Sequence, residues 1–139
     1  MEKREKSCGA VIYQLNNNHI LYLVEKMVGG HYALCKGHVE GSENETETAL
    51  REIKEETNLD VIIDTSFRET TKYSPYPGCM KEVVYFIAKL KGGQLKVQLS
   101  EVTSAMWMPF EEAYEKLTYV SDKNILDKAH KYLIKKEFQ

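Results

Sequence analysis

The chain is short of cysteine, has no surplus of positive charge and contains no long apolar run, and each shortage excludes a class of protein. Its 3 cysteines, Cys8, Cys35 and Cys79, are odd in number, widely spaced and form no C-x-x-C pair. That pattern argues against both a disulfide framework and a zinc site, so free thiols are expected, with Cys8 in the core. Lysine and arginine number 19 against 21 acidic residues, a formal charge of −2 at pH 7. Bulk electrostatics then gives no attraction to DNA, RNA or an anionic membrane; long nucleic acid is not an expected partner, and an anionic ligand must be met by local cations. The apolar stretch before Asn16 is far below the ~20 residues of a membrane span and shows no secretory cleavage pattern, so no membrane partner is expected and the cytoplasm is the expected location. No low-complexity linker and no internal repeat divide the 139 residues, which at 42% hydrophobic content form one expected domain, 1–139, working as a monomer or homodimer.

What is present is an alternation of strand and helix patterns. Residues 6–14 and 20–26 are strand-like and joined by a polar turn at Asn16 to Asn18, and Gly29-Gly30 breaks the chain before a short strand at 32–35. Residues 61–72 are strand-compatible and 82–90 (EVVYFIAKL) strongly so. Gly92-Gly93 gives a hairpin signal with a return strand at 94–98, and 105–108 forms a short strand around Trp107. Helices are expected over 44–57, over 110–117 after Pro109, and over 122–135. Strands lying between helices give an α/β fold, a three-layer α/β/α sandwich with a mixed central sheet.

The chemistry concentrates between Gly37 and Leu59. Ala49, Leu50, Ile53 and Leu59 recur at helical spacing, Asn44 with Glu47 (or Ser42 with Glu45) can form a capping box, and Asn58 suits the left-handed end of the helix. Glu52, Glu55 and Glu56 then share one face. Like charges at this spacing cost roughly a few tenths of a kcal/mol per pair, so the helix gains no stability from the arrangement. A hard divalent cation reverses the sign: magnesium takes oxygen ligands, keeps several waters and uses one or two carboxylates together with substrate phosphates. Arg51 is placed to orient these acids through Glu55 or Glu43, while Glu45 and Glu47 otherwise suit a solvated face.

Gly37, Glu43, Arg51, Glu52, Ile53, Glu55, Glu56 and Leu59 match in register the Nudix box, G-x5-E-x7-R-E-U-x-E-E-x-G-U, with Asn58 where the box has glycine. The chain therefore resembles the Nudix hydrolases. The resemblance implies the Nudix fold and metal-dependent hydrolysis of a phosphoanhydride in nucleoside diphosphate-X compounds. It also implies magnesium, or manganese as the alternative, on Glu52 and Glu56, with Glu55 and the Gly37 carbonyl close by. Outside the box, KGHVEGSE after His31-Tyr32, YSPYPGCMKEVVYFIAKL, LSE before Trp107 and PFEEAYEKLTY are similar to the asymmetrical diadenosine tetraphosphate hydrolase branch of that family. That similarity implies a small nucleotide substrate, diadenosine tetraphosphate cleaved to ATP and AMP. It implies phosphate contacts from Lys36, Lys81 and His31, base stacking by Tyr119 with either Tyr73 or Tyr76, and a general base at Glu101. His38 is read as structural, Tyr85 and Phe86 as core on one strand face and pocket floor on the other, and Trp107 as core. Cys35 and Tyr32 stand where proline and tryptophan are common in the branch, and the loop carrying Glu101, followed by Val102 and Thr103, is about one residue shorter than usual. The alternatives are a nucleoside triphosphate or RNA 5′-end pyrophosphohydrolase, and a catalytically silent nucleotide-binding sensor; the complete acid set favours an enzyme.

Overall fold

The computed structural model describes residues 2–139. The elements run β1 (Lys3–Asn16), β2 (His19–Met27), β3 (Tyr32–Ala33), β4 (Cys35–His38), α1 (Glu45–Thr57), β5 (Asp60–Tyr73), β6 (Cys79–Gly92), β7 (Val102–Met108), α2 (Phe110–Lys116) and α3 (Val120–Phe138). β1 and β2 form a hairpin whose turn residues Asn17 and Asn18 both have positive φ, 52° and 67°. Asparagine tolerates that conformation, and the turn twists with the strands it joins.

β1 is the axis of the sheet. It runs parallel to β6 from Lys3 to Tyr13, and on its other edge it is shared: Ser7 to Ala10 pair with β4, and Tyr13 to Asn16 pair with β2. The sheet therefore forks along β1. β5 extends it beyond β6, and β3 and β7 flank β2. One parallel pair among antiparallel ones makes the sheet mixed, as expected.

Strand alternation builds two cores. Cys8, Ala10 and Ile12 of β1 and Val84, Phe86 and Ala88 of β6 face α1 through Ala49 and Ile53. Val11 and Tyr13, with Val83, Tyr85 and Ile87, face the opposite way against Ile125, Leu126, Ala129 and Leu133 of α3 and Ala113 of α2. The three layers follow from that alternation. No helix among the described residues is long and apolar enough to cross a membrane.

α1 starts on the expected capping box: Asn44 Oδ1 accepts from the Glu47 amide at 2.8 Å, and Glu47 Oε1 accepts from the Asn44 amide at 2.8 Å. It ends at Asn58, held at φ 64°. The expected return strand at 94–98 does not form; these residues carry no strand structure. The reason is the helix end, whose last carbonyls need donors from outside the helix. Lys96 N donates to the Thr57 carbonyl at 2.9 Å and Gln98 N to the Glu56 carbonyl at 3.2 Å, so the segment satisfies α1 rather than a β ladder. Gly93, at φ 92°, turns the chain toward that helix end.

Glu45 departs from the solvated face expected of it, while Glu47 is exposed as expected. Glu47 closes the capping box, and Glu45 accepts from Lys6 Nζ at 2.6 Å and from Arg68 Nε and Nη2, each at 2.8 Å. One carboxylate thus ties the first turn of α1 to β1 and β5. Hydrogen bonding from Arg68, reinforced by Lys6, holds that carboxyl at about 2 against its ordinary 4.5. A carboxyl lowered on folding stabilises the protein above its unfolded pKa and loses that contribution as pH falls through the folded one. Glu45→Gln is expected to cost about 1 kcal/mol at pH 7 and to shrink the stability lost between pH 4.5 and about 2. Urea denaturation at pH 7 and across that acid range measures both; a variant with the acid sensitivity of the parent would refute the ionic tie.

Candidate active site

The site forms where α1 crosses β4 at the fork. Gly9 on β1 lies so close to Cys35 and Lys36 that a Cβ there would overlap their backbone, which lets β4 bed tightly on β1. Gly37 has the same role toward the helix: a Cβ would overlap the Glu52 carboxylate. Glycine is required at Gly37 for that close approach, since its backbone is not in the left-handed region.

Arg51 organises the acids. Its Nε and Nη2 donate to Glu43 at 2.6 and 3.1 Å, Nη1 to Glu52 at 2.9 Å and to Glu55 at 3.1 Å, and Nη2 also to the His38 carbonyl at 2.8 Å. Hydrogen bonding to Arg51 holds the Glu43 carboxyl at about 2. One planar guanidinium thereby fixes the loop before α1, the end of β4 and two carboxylates of the helix. Deeper in, Glu56 is 2% exposed and Glu25, from β2, is 0% exposed. Glu56 Oε2 and both oxygens of Glu25 have no hydrogen-bond partner among the described residues. The Cys35 thiol donates to Glu56 Oε1 at 3.8 Å. Burial first, and then mutual repulsion, pushes the Glu56 carboxyl well above its ordinary range, and burial does the same to Glu25.

Two chambers open from this centre. The first, of about 360 Å³, is lined by Lys36, Gly37, Glu52, Glu55, Glu56, Lys81 and Glu101, with Ser7, His38, Glu40 and Gln98 completing the wall. The second, of about 560 Å³, is lined by His31, Lys36, Tyr73, Tyr85, Tyr119 and Asp122 among others. Lys36 lines both. Burial first, and then the charge of Lys36, depresses the Lys81 ammonium, so an anion between the two lysines would relieve an existing cost. In the second chamber the His31 and Tyr119 rings lie 5.6 Å apart, and Tyr119 is 52% exposed. A depression of about 600 Å³ at the far end of α1 contains Lys54 and Asp60, which pair with each other at 3.0 Å and offer nothing convergent.

The residues singled out from sequence thus gather in these two chambers, with Arg51 behind the carboxylates and one exception. Tyr76 lies apart, its hydroxyl donating to Glu5 at 3.3 Å and its ring 6.0 Å from the Lys3 ammonium. Tyr73 is the tyrosine of that segment that lines the aromatic chamber. Tyr85 contributes to the chamber wall while Phe86 is buried under α1. Sequence reasoning missed Glu25 and Asp122. Glu25 falls two positions after the inward-facing Leu23, which strand periodicity could have flagged. Asp122 is buried near the start of α3, where Tyr85 Oη donates to it at 3.2 Å; it reads in sequence as an ordinary first-turn acid.

A buried, donor-poor Glu56 oxygen beside a chamber with paired lysines suits a hard divalent cation held against phosphates, and the carboxylates of Glu52, Glu55 and Glu56 on that wall are of the oxygen type such an ion takes. The fold and this donor set define a class: a three-layer α/β domain that presents a carboxylate-lined helix to a chamber flanked by two lysines. A family model described as NUDIX domain matches residues 3–129, and the chain belongs to the Nudix family. It is 31% identical to the asymmetrical bis(5′-nucleosyl)-tetraphosphatase of Mus musculus, over 92% of this chain and 95% of that one. To the protein of the same name in Caenorhabditis elegans it is 33% identical, over 92% and 96%. The crystal structure of a C. elegans Ap4A hydrolase binary complex superposes with a TM-score of 0.84 at 30% identity, covering 93% of this chain and 97% of that one.

Gly37→Ala tests the packing that positions Glu52. A methyl group there must push the carboxylate aside, and misplacement by about 1 Å costs on the order of 10²-fold in rate. Steady-state hydrolysis of a nucleotide substrate is expected to fall by about that factor with the circular dichroism spectrum unchanged. Parental turnover in the variant would show that the close approach does not position the acid.

Proposed function

We propose that the chain hydrolyses diadenosine tetraphosphate asymmetrically to ATP and AMP, with magnesium as its cation and manganese as the alternative. The observation that carries this reading is the pair of chambers joined at Lys36, one acidic and cationic, the other aromatic. A polyphosphate with a purine at its end spans that combination, and relatives about 30% identical over nearly their whole length bear the name of this activity.

A bound divalent cation neutralises phosphate charge and lowers the pKa of water. Glu52 and Glu56 would hold it, with Glu55 and the Gly37 carbonyl as further candidate ligands, and Arg51 keeps Glu52 and Glu55 aligned despite their mutual repulsion. Lys36 and Lys81 take phosphate oxygens as point charges, with His31 at the chamber between phosphate and base. Glu101 accepts the proton of the attacking water; the water oxygen bonds to phosphorus as the anhydride bond breaks and the leaving phosphate keeps the bridging oxygen. Loss of such a base costs typically 10²–10⁴-fold. Tyr73 and Tyr119 stack on the base, a contact of about 1–3 kcal/mol in single-stranded nucleic-acid sites. The same reading carries the expected cytoplasmic location and a monomer or homodimer as the working unit.

The test is product analysis by ion-exchange chromatography after incubation with magnesium and diadenosine tetraphosphate, nucleoside triphosphates, ADP-ribose or 5′-triphosphorylated RNA. The tetraphosphate is expected to give ATP plus AMP at the highest kcat/KM, and Tyr119→Ala is expected to raise KM for it more than for the triphosphates. A higher kcat/KM for another compound would overturn the substrate assignment, and binding without turnover of any would favour a sensor.

A further inference from the structure

Glu25 is the least explained group in the domain. It is fully buried, both its oxygens lack a hydrogen-bond partner among the described residues, and it faces the acid-bearing helix rather than solvent. Its polar neighbours are the Glu56 carboxylate and the Cys35 thiol: one ligand atom from each of the three residues lies within 4.8 Å of the other two. Two carboxylates cannot both remain charged in so dry a place without a counter-ion. A shared proton pairs one oxygen of each and leaves the others orphaned, whereas a cation coordinated by all three residues gives each a partner.

The donors also indicate which cation. Magnesium takes oxygen ligands and seeks near-octahedral geometry, while a set of two carboxylate oxygens and one sulfur suits the borderline-soft divalent ions, zinc above all. Zinc binds thiolate at about 2.3 Å and carboxylate at about 2.0 Å, and such arms in a tetrahedron put sulfur and oxygen about 3.5 Å apart. Cys35 Sγ and Glu56 Oε1 are 3.8 Å apart. Three protein ligands leave a fourth position open, and Glu56 also lines the acidic chamber, from which the ion can enter.

We propose that Glu25, Cys35 and Glu56 form an inner metal site for a thiophilic divalent cation of the zinc class, distinct in its donors from the outer carboxylate face and sharing Glu56 with it. Binding is a ligand exchange without redox change: the metal–sulfur bond replaces the sulfur–hydrogen bond, and the thiol proton, with any proton held between Glu25 and Glu56, leaves to solvent. Cysteine spacing gave no sign of this site because its ligands come from β2, β4 and α1, which only the fold brings together. The site is independent of which nucleotide the domain hydrolyses.

Cobalt(II) is the probe, titrated into the intact reduced protein without nucleotide and followed by absorption. The wild type is expected to develop a thiolate-to-cobalt charge-transfer band in the near ultraviolet that saturates at one equivalent. Cys35→Ser is expected to lose the band, Glu25→Gln to weaken cobalt binding at least tenfold, and the Cys8→Ser, Cys79→Ser double variant to keep the band. Absence of the band in the wild type, or its survival in Cys35→Ser, overturns the proposal, as does unchanged affinity in Glu25→Gln. If Cys35→Ser does not fold, the Cys8→Ser, Cys79→Ser double variant decides, since loss of the band there overturns the proposal; no hydrolysis assay enters, so the result is separate from the fate of the substrate reading.

Discussion

The domain depends on the fan of bonds around Arg51. Three acids of one helix face repel one another, and without a counter-charge they would splay or take up protons. One guanidinium meets Glu52 and Glu55 directly, while its remaining donors reach Glu43 and the His38 carbonyl. The planar fork makes this possible, since a lysine at the same place would be a single charged point unable to hold four groups in fixed directions. The fan also lets the protein keep carboxylates ready for a cation at a bearable cost in stability.

The sheet gives the fan something to hold onto. Because β1 is shared between β4 and β2, the sheet opens at the fork, and the gap is where Cys35 of β4 and Glu25 of β2 come together. Small residues close the assembly: Gly9 lets β4 bed on β1, and Gly37 lets α1 bed on β4. The segment between β6 and β7 completes it from the other side by supplying donors to the last carbonyls of α1, which also brings Gln98 and Glu101 to the rim of the acidic chamber. Satisfaction of a helix end and placement of a candidate base are thus one structural event.

What was legible in the sequence was local. The spacing of Arg51, Glu52, Glu55 and Glu56 fixes their common face by helix geometry alone, and the caps at Asn44 and Asn58 fix where that helix begins and ends. The succession of strands between helices likewise pointed to three layers. What was not legible depended on contacts distant in sequence. The Gly92-Gly93 pair carries the local signal of a hairpin, yet Lys96 and Gln98 after it answer to the Thr57 and Glu56 carbonyls of α1, far away in sequence. Tyr73 and Tyr76 differ by which side of the β5–β6 turn they face, a matter of tertiary direction. Glu25 and Asp122 acquire their meaning only when β2 and α3 are packed against the site.

The most direct test of this account is a crystal structure with manganese and a non-hydrolysable diadenosine tetraphosphate analogue. The account predicts an anomalous peak within coordination distance of Glu52 and Glu56, polyphosphate density between Lys36 and Lys81, and an adenine stacked at Tyr73 or Tyr119. Metal density away from Glu52 and Glu56, or an adenine outside the chamber of Tyr73, Tyr119 and Asp122, would contradict it.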